Sequence, residues 1–472
     1  MTMGISRRTF LVGAGAGAVA VLLASCTGEQ PTPPGPTTTA PDPSPSTPPP
    51  TASAIVPAAF ARSAWAEDPF ARGAVSFTPP TASPADREAL AQPVDGRLFF
   101  AGEATDTEAP GTMRGAYDSG RRVADEVIDV AADGERVAVV GAGIAGAIAA
   151  RRLVEAGYDV VVIEARDRVG GRVHSSDETW APEGAEPGEG VVPQLGAWLL
   201  TEDDVRSDVG QRLTVLGLRT ASLDDELAVS PDGEVEVPSS DAVTVALEQA
   251  GTAASDESLA DALEAAGADL DDPALASLLA DLAATSGADA AELSSWYPPV
   301  LPAPALDAVV EDMAPLAEMP LTDLQVMRQT AVVGVVHDDT GVSLRLGTGE
   351  ALSVDRVVLT VPLGVLKDEG IEFEPPLPFA HRGAIAALGM GDVETVWLRF
   401  DDDFWQTDAA VWHVVGGDAT IRTWINLRPA TGENVLVGRV GGEAARELAA
   451  LSDDEVVARA VASLSAFAPA AG

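Results

Sequence analysis

The stretch that decides the fold is "ERVAVVGAGIAGAIAARRLVEAGYDVVVIEARDRVGGRV", Glu135 to Val173. Arg136 to Val140 reads as a short buried strand, and Ile144 to Glu155 as an alanine-rich helix. Between them Gly141, Gly143 and Gly146 take the G-x-G-x-x-G spacing, with Ile144 and Ala145 inside it. Each glycine has its own task. The first permits the tight turn, the second lets backbone approach a pyrophosphate, and the third lets helix pack on strand. The helix N-terminus then presents amide donors and the positive end of its dipole. "YDVVVIE" is a second buried strand, ending at Glu164, 18 residues beyond Gly146. A carboxylate there accepts hydrogen bonds from ribose hydroxyls. Strand, fingerprint, helix, strand and acid in that order specify an α/β, Rossmann-like, dinucleotide-binding unit.

The rest of the 472 residues leaves room for about two domains. A net charge of −44 excludes nucleic acid as a partner, because phosphate would be repelled. A solvated acidic surface explains the charge, and it also suits a cationic substrate. The four histidines are scattered, and Cys26 is the only cysteine, so no metal is assigned. Lys367 is the only lysine.

The first residues read as an address. "SRRTFLV" (Ser6 to Val12) is a twin-arginine signal, followed by an apolar run too short to span a bilayer. That run ends in Leu23-Ala24-Ser25-Cys26, which resembles a bacterial lipobox whose cysteine is acylated. The expectation is a protein passed to the twin-arginine export machinery and lipid-anchored at Cys26 on the outer face of a bacterial membrane. "GAGAGA" (Gly13 to Ala18) mimics the fingerprint, but no strand precedes it. Thr27 to about residue 54 is a Pro/Thr-rich spacer.

"EARDRVGGRVHS" (Glu164 to Ser175), "DRVVLTVPLGVLKDEGIEFEPPLP" (Asp355 to Pro378) and "LGMGDVETVWLRFDDDFW" (Leu388 to Trp405) resemble the flavin-containing amine oxidases, among them monoamine and polyamine oxidases and histone demethylases. That family closes with a Trp-x-x-Asp-Pro segment, the phrase Phe-Ala-Gly-Glu and a Gly-Thr-x-x-Gly-Ala helix. Here the same pieces stand at the front: Trp65, Asp68 and Pro69, then Gly102 and Glu103, then Gly111, Thr112, Gly115 and Ala116. The resemblance therefore implies a circular permutation, with the family's two ends joined by Ala131 to Glu135. Such a rearrangement can preserve every contact, because domain termini often lie close together at the surface.

The implied architecture is an α/β fold: an FAD-binding Rossmann-like domain (55–200 and 325–366) and a mixed sheet and helical substrate domain (201–324 and 367–472). The implied reaction is hydride transfer from the carbon of an amine C–N bond to flavin N5. Besides the fingerprint and Glu164, the implied FAD contacts are Ala165, Arg166, Gly171, Arg172, Gly196, Ala197, Trp198, Val332, Gly102, Glu103, Gly111, Thr112 and Met113. Alternatives are an FAD dehydrogenase or desaturase-like enzyme on a non-amine substrate, and a degenerate flavin-binding lipoprotein.

Three departures from the family pattern stand out. Its usual lysine near flavin N5 is Thr395 here, which points to an acceptor other than oxygen. The substrate-side positions read Val75 and Thr112, so an aromatic contact to the amine would have to come from Phe77 or Trp198. Thr112 also suits a helix cap. Ala74 falls where monoamine oxidases carry a flavin-linking cysteine, which implies non-covalent FAD. Thr395, Trp198, Thr112 and Val75 are thus the expected reaction-side residues. Thr201 to about Asp323 carries helical stretches such as "SDESLADALEAAG", and its residues do not reveal the substrate.

Overall fold

The computed structural model describes residues 55–176, 180, 190–301 and 306–468. The twin-arginine motif, Cys26 and the Pro/Thr-rich spacer lie outside the described residues. Five parallel strands form the central sheet, in the order Gln325–Met327, Asp159–Ile163, Arg136–Val140, Arg356–Leu359 and Leu98–Phe100. The sheet is covered on both faces, which is why its strands read as unbroken apolar runs. Phe99, Val137, Val139, Val160, Val162 and Val358 face helices Ile144–Glu155 and Met113–Val130. Their neighbours, including Leu98, Phe100, Ala138, Val140 and Val161, pack on a four-stranded sheet that contains Val332–Asp338.

The front segment is built into this core. Leu98, Phe99 and Phe100 are 0–2% exposed, and burying each contributes about 1.5–3 kcal/mol. Helix Met113–Val130 lies directly on the fingerprint helix: a Cβ at Gly120 would sit 2.4 Å from Ala145 O. Ala131 to Glu135 then leads straight from that helix into the fingerprint strand.

A second sheet of seven strands runs Ala59–Arg62, Val393–Arg399, Val435–Gly441, Thr423–Asn426, Val411–Val414, Glu226–Ser230 and Gly233–Val235. The expected domain boundaries need correcting here. Ala59–Arg62, assigned from sequence to the cofactor domain, pairs antiparallel with Val393–Arg399. Val75–Phe77 likewise pairs with Gly389–Gly391. Conversely Glu372–Glu374, assigned to the substrate domain, adds to Val332–Asp338. Short strands go where an edge offers unpaired backbone groups, and the local sequence does not show which edge is free.

The stretch that the sequence left unread contains helices Asp241–Ala250, Leu259–Ala265 and Pro273–Ser286, gathered round Val243, Leu259, Leu263 and Leu282. Helix Pro273–Ser286 is seated on the seven-stranded sheet so closely that a Cβ at Gly441 would lie 1.8 Å from Ala283 O. No described helix is long and apolar enough to cross a membrane, and no three described His, Cys, Asp or Glu side chains gather as a metal site.

Candidate cofactor and substrate site

A cavity of about 260 Å³ opens at the carboxyl ends of the central strands. Open α/β sheets place ligands there, because the strand-to-helix turns leave a crevice. Its wall includes Gly141, Gly143, Ile144 and Ala145 from the fingerprint, and Glu164, Ala165 and Arg166 after the second strand. Gly171, Arg172, Ala197 and Val332 also line it, as do Gly102, Glu103, Gly111, Thr112 and Met113 from the front segment. Residues far apart in the chain thus meet round one space.

The three fingerprint glycines stand in different surroundings. Gly141 has φ +105°, and a Cβ there would meet Thr360 Oγ1 at 2.5 Å. A Cβ on Gly146 would meet Gly141 O at 2.0 Å, so that glycine serves helix packing and does not line the cavity. Gly143 is different. Its backbone is ordinary, at φ −74°, and a Cβ would find nothing of the protein nearer than 3.9 Å. The protein itself does not require glycine there, and the open space leaves room for a ligand to approach the backbone closely. Gly143 is also the N-cap of helix Ile144–Glu155 and offers no side chain to its amides. The positive end of the helix therefore remains available to an anion.

Glu164 is 4% exposed, yet lines the cavity. Its Oε2 accepts from Ala142 N–H at 2.8 Å and its Oε1 from Arg166 N–H at 2.9 Å, which fixes the carboxylate without exhausting its acceptor sites. Opposite it Glu103 accepts from Arg172 Nη1 at 2.8 Å, from Ser76 Oγ at 2.5 Å and from Gly111 N–H at 3.0 Å. Burial alone would push the Glu103 carboxyl up; Arg172, then Ser76 and Arg87, more than offset this and hold it below the ordinary range. A bare-backbone turn at a helix N-terminus, with two carboxylates beside it, fits the diphosphate and hydroxyl groups of a dinucleotide such as FAD.

The reaction-side expectations fare differently. Trp198 is 2% exposed, its ring 5.0 Å from that of Trp397, and it does not line the cavity. Its carbonyl accepts from Val309 N–H at 2.9 Å. Gly196 lies outside the lining as well: a Cβ there would meet Arg172 O at 1.9 Å, so its role is close chain packing. Thr395 is buried on strand Val393–Arg399, with its N–H donated to Ser63 Oγ at 2.9 Å. Val75 is turned against Gly111 and Gly287, one layer behind the lining. Phe77 lies against Gly389. Thr112 does line the cavity, but its hydroxyl donates to Ala109 O and accepts from Gly115 N–H as the cap of helix Met113–Val130.

Sequence reasoning marked Asp68 and Pro69 but missed Phe70, Arg72 and the contacts of the strap from Asp68 to Arg72. Asp68 Oδ2 accepts from Arg166 at 2.7 and 3.1 Å, and Phe70 lies under the same guanidinium at 5.6 Å. Arg72 reaches across to Asp368 at 2.9 Å. The Trp-x-x-Asp-Pro motif marks where this strap begins, but nothing local names its partners.

The comparisons with known proteins bear on the family and the fold. Residues 47–128 and 234–472 match the flavin containing amine oxidoreductase family, and residues 139–204 match the NAD(P)-binding Rossmann-like domain. The chain belongs to the flavin-containing amine oxidoreductases and is an FAD-dependent enzyme of that family. It is 30% identical to "Polyamine oxidase 4" of Oryza sativa subsp. japonica over 370 residues, 71% of this chain and 73% of that one. It is 29% identical to "Probable polyamine oxidase 4" of Arabidopsis thaliana, covering 67% of this chain and 68% of that one. In fold it is similar to cyclohexylamine oxidase from Brevibacterium oxydans, with a TM-score of 0.57 and 20% identity over 72% of this chain and 82% of that one. A putrescine oxidase bound to putrescine superposes with a TM-score of 0.53, 20% identity and the same coverage.

Proposed function

We propose that this chain oxidises the C–N bond of a small amine, with FAD held non-covalently, and that it works outside the cell on a lipid anchor at Cys26. The observation that carries the chemistry is the single cavity in which Gly143, Glu164, Arg172 and Glu103 meet. Bound FAD would supply the hydride acceptor, its N5. Glu164 would accept hydrogen bonds from the adenosine ribose. The N-terminus of helix Ile144–Glu155 would face the diphosphate, and the backbone at Thr112 and Met113 would present a second helix N-terminus to the reduced ring. Thr112's hydroxyl acts only through the cap. Ala74 lines the cavity and carries no thiol, which supports non-covalent binding.

The relatives named for polyamines and putrescine support an amine with more than one cationic centre, and a net charge of −44 would draw it in. The order of the motifs supports the permutation: the front segment supplies the edge strand and the covering helix of the very sheet that the fingerprint begins. The twin-arginine and lipobox motifs support export. A second reading, a flavin dehydrogenase acting on a non-amine, draws on the inward turn of Trp198 and Phe77, which leaves Phe70 as the one aromatic side chain lining the cavity among the described residues.

The test is the anaerobic visible spectrum of the purified body from residue 54 onward, with polyamines, monoamines and amino acids added in turn. Rapid bleaching of the flavin band by an amine is expected, with polyamines fastest. A flavin band that no amine bleaches would overturn the amine assignment. Admitting air to the bleached protein is expected to restore the band slowly, consistent with an acceptor other than oxygen. For the anchor, Cys26→Ala is expected to move the protein from the membrane fraction to the soluble one; a variant still in the membrane fraction would refute it.

A further inference from the structure

Arg87 has no place in the cavity wall, yet it is 2% exposed and among the most deeply buried side chains. It sits on helix Pro84–Ala91, capped at Ser83. Its Nη1 donates to Ser76 Oγ at 2.8 Å and to Ala104 O at 3.2 Å, and its Nη2 to Thr78 Oγ1 at 3.3 Å. Among the described residues Nε has no partner. Burying a guanidinium costs several kcal/mol, normally recovered by a carboxylate in direct contact. Arg87 touches none. Two hydroxyls and a carbonyl could be served by a neutral amide at far smaller cost.

The direction of the bonds shows what the charge does. Arginine has only donors, so Ser76 Oγ accepts from it. The Ser76 proton is thereby left to point at Glu103 Oε2, 2.5 Å away. Gly111 N–H and Arg172 donate to the same carboxylate. Three donors converge on Glu103, and none of them can accept a proton back from it without breaking the set.

We propose that Arg87 is a positioning residue for the flavin site, acting through the Ser76 hydroxyl to keep Glu103 an anion aimed into the cavity. The carboxylate is then ready to accept hydrogen bonds from the hydroxyls of the cofactor's ribityl chain. This rests on the flavin reading above. Arg172 and Arg87 are the cations acting on Glu103, Asp106 places its charge near Arg87, and the adjoining small pocket is walled by Leu90, Phe100 and Leu363. Without Arg87 and the Ser76 proton, burial would push the Glu103 carboxyl up, with Arg172 left to oppose it.

The experiment titrates FAD into apoprotein and follows flavin fluorescence from pH 5 to pH 9, for wild type, Arg87→Met and Ser76→Ala. Relative to wild type, both variants are expected to bind FAD about tenfold more weakly at pH 5 than at pH 8, as Glu103 takes up a proton. Ser76→Ala removes only one hydroxyl, so it reports on the relay even if Arg87→Met fails to fold. Weakening by the same factor at every pH would mean a purely structural role and overturn the proposal. A wild type that binds no FAD at any pH would overturn the flavin reading itself, and this proposal with it.

Discussion

Gly143→Ala is expected to weaken FAD binding about 100-fold while lowering the stability of the apoprotein by about 1 kcal/mol or less. The reason is the empty space at this residue. A methyl group there meets nothing of the protein within 3.9 Å and needs no unusual backbone, so the fold should accept it. It would, however, stand where a pyrophosphate must approach the turn. An overpacking cost of about 1–3 kcal/mol, felt only in the complex, is about 5–150-fold in affinity. Gly146→Ala should behave in the opposite sense, because its new Cβ would lie 2.0 Å from Gly141 O and force helix from strand. Thermal melts of the apoproteins, together with FAD titrations, separate the two. If Gly143→Ala bound FAD as tightly as wild type, the cofactor could not lie on this turn.

Glu394→Gln is expected to stabilise the protein by about 3 kcal/mol at pH 8 and to flatten its stability between pH 5 and 8. Glu394 is 2% exposed on strand Val393–Arg399 and anchors the start of the strap: Ser63 Oγ lies 2.5 Å from its Oε2, and Trp65 N–H donates to Oε1 at 3.0 Å. Burial is the main influence on its carboxyl and, against the hydrogen bonds from Ser63 and Trp65, pushes it from 4.5 up to about 7. The fold therefore prefers the protonated acid. Its contribution is fully present below pH 4.5 and is lost as pH rises through 7, where an ionised carboxylate must be kept buried. Glutamine keeps the neutral form and can donate to Ser63 Oγ. Denaturant unfolding of both proteins across that range checks this, and equal slopes for the two would show that Glu394 does not titrate in the fold.

Both predictions concern residues whose importance was unequally visible in the sequence. Gly143 was legible because its role is set within one strand–turn–helix unit. Glu394 was not. It stands beside Thr395 in "GDVETVW", and alternation along a strand says only that the two face opposite ways. Which face meets the cavity depends on what packs above and below. Neither side chain lines the cavity: the Thr395 amide is tied to Ser63, and Glu394 holds that serine and Trp65. Trp198 and Val75 fall outside the cavity wall for the same reason, since an aromatic or aliphatic side chain near a site satisfies the local pattern equally well when turned into the core.

By itself, then, the sequence determined the dinucleotide turn, its two strands and helix, the acid at Glu164 and the presence of the amine-oxidase motifs. These depend on spacings within about 30 residues, where backbone geometry leaves few choices. Tertiary structure alone decided that Leu98–Phe100 seals the far edge of that sheet, that Arg87 stands behind Glu103, and which expected reaction-side residues face the cavity. Those outcomes depend on pairings between distant segments, settled by which edges are open and which faces are buried, and no local stretch of the chain carries that information.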